Sequence, residues 1–169
     1  MKRIALFAAV ALAAIALPVR ARAQTGGEAE VRAVIDRLFD AMRRGDGTAL
    51  QAQFHPAARL QSVGVSRQTG QPELETDSIE AFARAVGSPH PNMVWDERVS
   101  GVEIRVDGNF ATAWMNYTFY IVQGETERLS HCGVDAFQLF KGTDGWKIIQ
   151  ITDTRRRDNC PALPRGPSS

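Results

Sequence analysis

The chain has 169 residues but only two cysteines and three histidines, the latter scattered as His55, His90 and His131. No H-x-x-x-H or C-x-x-C spacing occurs, so no metal site is expected. Neither a glycine-rich phosphate loop nor a G-x-S-x-G elbow is present, and no cofactor is expected. Charge of one sign is also lacking, with 20 basic against 19 acidic residues. Without a broad basic face, nucleic acid is not an expected partner. The only dense positive run, Arg155-Arg156-Arg157, reads as a solvated strand end. No long apolar run follows Leu17.

What the start of the chain does contain is a secretory signal over residues 1–23. Basic Lys2 and Arg3 precede an apolar run from Ile4 to Leu17, and Ala21-Arg22-Ala23 supplies the small residues of a cleavage site. The run is shorter than the roughly 20 residues that span a bilayer, so no membrane anchor is expected after cleavage. The expected location is periplasmic or secreted. Without Lys2, Arg3, Arg20 and Arg22 the chain keeps 16 basic against 19 acidic residues. Cys132 and Cys160 would then meet an oxidising compartment. A disulfide between them would contribute about 3 kcal/mol. Two free thiols or an intermolecular bridge stay open, because the sequence gives no Cα separation.

Val31, Val34, Ile35, Leu38, Phe39 and Met42 recur at helical spacing and predict an amphipathic helix ended by Gly45. Asp46 can cap a short second helix, and Phe54-His55-Pro56 leads into a short strand at 59–63. Residues 64–72 read as a loop. Asp77, with Glu80 three residues on, opens a third helix carrying Ile79, Phe82, Ala83 and Val86. After Pro91 the period becomes two, predicting strands at 93–106, 110–122, 127–140 and 145–155. This is an α+β layout, with helices on one face of the sheet. The expected division is the signal, a domain over 24–158 and a flexible tail over 159–169.

Tight turns fix which side chains share a face. Turns at Asp107-Gly108 and Thr143-Asp144-Gly145 set the outer hairpins, and Tyr117 is taken to oppose His131 in the middle one. One face is then Val102, Ile104, Ala111, Ala113, Met115, Phe137, Leu139, Ile149 and Ile151. At its far end Arg98, Tyr117, His131, Asp135 and Asp153 gather around Gly133, beside Met115. An apolar wall ending in a few convergent polar groups suits a small-molecule ligand. The other face carries Trp95, Trp114, Asn116, Thr118 and Tyr120, a mixture suited to a homodimer through the sheet. Plainer roles compete: Asp135 as a structural carboxylate bonded to backbone or Arg98, His131 at a strand edge, Tyr117 in the core, and Asp153 paired with Arg155 or Arg98.

The initial helix, the Phe54-His55-Pro56 step, the strand Trp114–Tyr120, the segment Ser130–Leu139 and Asp144-Gly145-Trp146-Lys147-Ile148-Ile149 resemble the nuclear transport factor 2-like superfamily. The likeness is to its SnoaL-like and lumazine-binding-like exported bacterial branch. It implies a cone: a curved antiparallel sheet of four long strands and one short strand wrapped around about three N-terminal helices, often dimeric. Members include isomerases, cyclases, dehydratases and non-enzymatic binders. Three functions are therefore in view. The first is an exported protein that binds a small molecule in the cone. The second is a proton-transfer enzyme with Asp135 or His131 as candidate catalytic base and Tyr117 or Arg98 stabilising an oxyanion. The third is a non-catalytic dimeric interaction module.

Overall fold

A computed structural model describes residues 26–88, 90 and 92–164. The signal segment and the last five residues of the tail lie outside the described residues. Helix α1 (Gly26–Arg44) carries the predicted apolar stripe, with Val31, Val34, Ile35, Leu38, Phe39 and Met42 all at most 5% exposed. Asp46 caps α2 (Gly47–Gln51), its carboxylate accepting from the Ala49 amide at 2.8 Å. Helix α3 (Ile79–Gly87) begins one residue later than expected. Ser78 caps it by accepting from the Ala81 amide at 3.1 Å, because Asp77 is drawn into strand pairing with Leu60.

Six strands follow the order β2-β1-β6-β5-β4-β3 in one open, curved sheet. They are β1 (Phe54–Val65), β2 (Pro72–Asp77), β3 (Met93–Asp107), β4 (Phe110–Gln123), β5 (Thr126–Gly142) and β6 (Gly145–Thr154). The chain makes the β1–β2 hairpin, crosses through α3 to the far edge, and meanders back until β6 lies parallel to β1. The α+β class and the curved sheet are as expected; β2 is an addition. All six of its residues are exposed, so backbone pairing orders it and no apolar alternation marks it in the sequence.

The core lies between the concave face and the helices. Ala111, Ala113, Met115, Phe137, Leu139, Ile148 and Ile151 supply the sheet side, and Phe39 meets Phe137 edge-on with ring centroids 6.2 Å apart. Val102 and Ile104 pack on its margin. Ile149 is displaced from the expected wall: Gln138 pairs with Gln150 but Leu139 with Ile148, so Ile149 is the extra residue of a bulge and Ile148 turns inward.

Cys132 and Cys160 are bridged, with Cα atoms 5.5 Å apart. The segment that follows, read above as the start of a flexible tail, runs along the convex face. Thr118 Oγ1 donates to the Pro161 carbonyl at 3.0 Å, the Leu163 amide donates to the Tyr120 hydroxyl at 2.9 Å, and Arg98 donates to the Leu163 carbonyl at 2.8 Å. Among the described residues no helix is long and apolar enough to cross a membrane. Together with the disulfide, this is compatible with an extracellular protein.

Candidate functional site

Turn chemistry sets the phase of the central strands. Asp107 pairs with Phe110, leaving Gly108 and Asn109 as the turn, and Gly142 pairs with Gly145 around Thr143 and Asp144. In the middle hairpin Tyr117 opposes Gly133, not His131, while Met115 opposes Asp135 and Phe119 opposes His131. Asp135 in turn faces Asp153 across β6. These registers differ from the expected ones by two residues, which preserves sidedness. Tyr117, His131, Asp135 and Asp153 therefore share the concave face. They line a cavity of about 440 Å³ whose apolar walls come from α1 (Leu38, Phe39, Met42), α3 (Ala81, Phe82, Ala85) and the sheet. Met115 is fully buried in the core and does not line it.

Arg98 is elsewhere, and the cause is one residue. Ser100 pairs with Asn116 and Glu103 with Trp114, so Gly101 and Val102 together oppose Met115. This is a β-bulge, with Gly101 at φ +61° as such a bulge requires of its first residue. Beyond it every side chain of β3 is reversed. Arg98 is buried on the convex face, where it binds Asp96 at 2.7 Å and Glu127 through two nitrogens, and lies 3.9 Å over the Tyr120 ring. Trp95, expected on the outer face, lines the cavity instead, and so does Glu97, which the sequence reasoning missed. The available signal was Gly101 itself, since a glycine inside a strand pattern marks a bulge.

Asp153 is fully engaged. Ser62 donates to Oδ1 at 2.5 Å, Arg155 Nε donates to Oδ2 at 2.7 Å, and the Tyr117 hydroxyl lies 3.3 Å from Oδ2 while donating to the Thr154 carbonyl at 2.8 Å. Gly133 permits that approach. A Cβ there would stand 1.8 Å from the Thr154 oxygen and 2.8 Å from Tyr117 Cε1. His131 stacks on Phe119 at 4.9 Å, edge-on to Tyr117, and its Nδ1 lies 3.1 Å from the Ser130 hydroxyl. Burial, and then the charge of Arg155, push its pKa down to about 4, so the ring is neutral at physiological pH. Burial raises the Tyr117 phenol above its ordinary value, assisted by the surrounding carboxylates.

Asp135 is in the opposite situation. It is 4% exposed, and no hydrogen-bond donor meets its Oδ2. Its hydrogen-bonding neighbour is the carboxyl of Glu97, another acceptor, so the two cohere only by keeping a proton between them. Burial, followed by the charge of Glu97, holds Asp135 well above the usual carboxylate range. Burial likewise pushes Glu97 up to about 7, with Asp153 adding to the rise while the Asp135 hydrogen bond and Arg155 oppose it. Among the described residues no group of three His, Cys, Asp or Glu side chains is placed to hold a metal ion. The result is an apolar cavity whose inner end is a carboxyl pair able to give or take a proton near neutrality.

A helix-lined cavity inside a curved, unclosed sheet is the cone of nuclear transport factor 2-like proteins, and solved structures bear this out. One is an NTF2-like protein with a cystatin-like fold from Novosphingobium aromaticivorans (14% identity, TM-score 0.61, 79% of this chain and 84% of that one). A second is a putative dehydratase of the NTF2-like family from Streptomyces avermitilis (16%, 0.58, 76% and 95%). A third is ActVI-ORFA from Streptomyces coelicolor (14%, 0.62, 78% and 98%). At these identities the likeness is one of fold. Within that fold the chain belongs to the family described as "Putative lumazine-binding", which residues 27–152 match. No curated protein matches the chain in sequence.

Proposed function

We propose that the protein is exported and binds a small, partly apolar molecule in the cone. The observation that carries this reading is the buried Asp135, whose Oδ2 meets no donor, at the polar end of a cavity with apolar walls. A polar group left unmatched in a dry site costs stability, and a ligand that completes its hydrogen bonds removes that cost. The cavity falls within the ordinary range for small ligands, and the family description points the same way. A cone with this much free space speaks against the filled interaction module. Dimerisation through the convex face belongs to the same proposal, supported by Trp114, Phe110 and Phe140, which are 55%, 44% and 41% exposed. The test of binding is a thermal-shift screen of aromatic and heterocyclic compounds, with native mass spectrometry of protein purified without denaturation. No shift from any compound and no co-purifying mass would overturn it.

One observation favours a second reading, proton transfer of the isomerase, cyclase or dehydratase type. A carboxyl held near 7 is matched to general acid–base work at neutral pH. In this reading Glu97 or Asp135 moves the proton. His131, neutral and stacked, is a poor candidate, and Arg98 on the outer face takes no part. The measurement is deuterium uptake from solvent at the α-carbon of a bound ketone, followed by NMR. Uptake equal to wild type in both Glu97→Gln and Asp135→Asn would rule this reading out.

A further inference from the structure

The polar end of the cavity offers more acceptors than free donors. Tyr117 spends its proton on the Thr154 carbonyl, and Ser62 spends its own on Asp153. Arg155 is tied to Asp153 through Nε, its side chain 45% exposed at the rim. Arg98 is on the other side of the sheet, held by Asp96 and Glu127. Besides His131 and the terminal nitrogens of Arg155, the polar groups facing the cavity are the Glu97–Asp135 pair, with one oxygen of Asp135 that no donor satisfies. Carboxylates accept hydrogen bonds and donate none once ionised, so the missing complement must be a donor.

Charge gives the same answer independently. The lining holds Asp77, Glu97, Asp135 and Asp153 against the single guanidinium of Arg155. Even with a proton kept on the pair, the cavity is negative. Its walls are aromatic where the carboxyls are not: Trp95, Phe119, Phe39 and Phe82 present rings to the same space, and ring faces attract cations. The volume of about 440 Å³ takes a one- or two-ring molecule.

From this juxtaposition we infer that the cone takes an organic cation bearing N–H donors, of the amidinium or primary-ammonium class, with a flat apolar body. The charged end sits on Glu97 and Asp135, and the body lies against Trp95, Phe119 and Phe82. This rests on the proposed binding function and specifies its ligand class. An entering cation displaces a proton from the carboxyl pair. The groups facing that pair are Tyr117 from β4, His131 from β5, and Asp153 and Arg155 from β6, with Asp77 at the rim from β2; α1 and α3 contribute only apolar side chains to the lining. Below pH 7 His131 is neutral down to about 4, and Asp153 and Arg155 neutralise each other, so the Glu97–Asp135 pair governs the pH dependence of binding. Affinity for the cation therefore rises with pH, about tenfold per pH unit below 7, as the pair gives up a proton to the entering charge.

Three probes of one shape separate charge from fit: benzamidine (cationic), benzamide (neutral) and benzoate (anionic). Naphthalene, read by the change in tryptophan fluorescence, reports occupancy without charge. Titration calorimetry at pH 5, 6, 7 and 8, in two buffers of different ionisation enthalpy, gives affinity and protons released. The expected result is benzamidine at least tenfold tighter than benzamide at pH 7, no detectable benzoate, and net proton release at pH 6. Glu97→Gln and Asp135→Asn, each checked for folding by circular dichroism, should each weaken benzamidine at least tenfold at pH 7. Naphthalene binding with benzamide or benzoate equal to benzamidine overturns the cation assignment and leaves the binding function standing. Failure of all four probes overturns both.

Discussion

Replacing Glu97 by Gln should stabilise the protein at alkaline pH, and the size of the effect follows from the site. Glu97 titrates near 4.5 in the unfolded chain and near 7 in the folded one. Between those values the native state carries the extra proton, so wild-type stability falls as pH rises, by about 1.4 kcal/mol per pH unit. The whole interval removes about 3 kcal/mol, after which the curve is flat with respect to this group. The glutamine side chain of the Glu97→Gln variant cannot ionise, and its amide N–H can donate to Asp135 in place of the proton the two carboxyls share. The advantage of the variant should be small at pH 4.5 and reach about 3 kcal/mol at pH 8, or about 10 °C in Tm for a domain of this size. Urea denaturation of both proteins at pH 4.5, 6, 7 and 8 measures it, the difference between the two removing the titrating groups outside the Glu97–Asp135 pair. A variant that tracks wild type at all four values, or that is less stable at pH 8, would refute the coupling of Glu97 to Asp135.

Gly133→Ala places a Cβ against the Thr154 carbonyl and Tyr117. It should cost at least about 3 kcal/mol by overpacking, and a wild-type denaturation midpoint would contradict this. Arg98→Met leaves Asp96 and Glu127 without their shared guanidinium; a loss of about 3 kcal/mol is expected from the buried partner left behind, with no change in naphthalene binding, since Arg98 faces away from the cavity. Reduction of the Cys132–Cys160 bridge, which closes a separation of 28 residues, should lower stability by about 3 kcal/mol. Limited proteolysis should then cut first after Arg156 or Arg157, and an unchanged Tm in reductant would count against a structural role.

The sequence made the helices and the central meander legible because their signals are periodic and strong. The α1 stripe and the alternation in β4 and β5 each name one buried face. Sidedness of Tyr117, His131, Asp135 and Asp153 survived a two-residue error in register, because strand geometry repeats every two residues. Three other features were hidden for separate reasons. Strand β2 buries no side chain, and Ile148 for Ile149 turns on a bulge that no glycine marks. The exchange of Glu97 and Trp95 for Arg98 turns on Gly101, whose positive φ shows only in coordinates. The candidate base was thus found from its own strand, while its partner carboxyl lay one residue from the arginine expected in its place.

That single surplus residue in β3 has an evolutionary side. If a relative lost it, β3 would slide by one position and its upper half would present Asp96 and Arg98 inward, with Glu97 outward. The cavity would then exchange Trp95 and Glu97 for Asp96 and Arg98, and a guanidinium would join Asp135 although only the deleted residue had changed. Deletion of one codon is thus enough to trade an aromatic ring and a carboxyl for an ion pair in the wall of the cavity, with the scaffold otherwise intact.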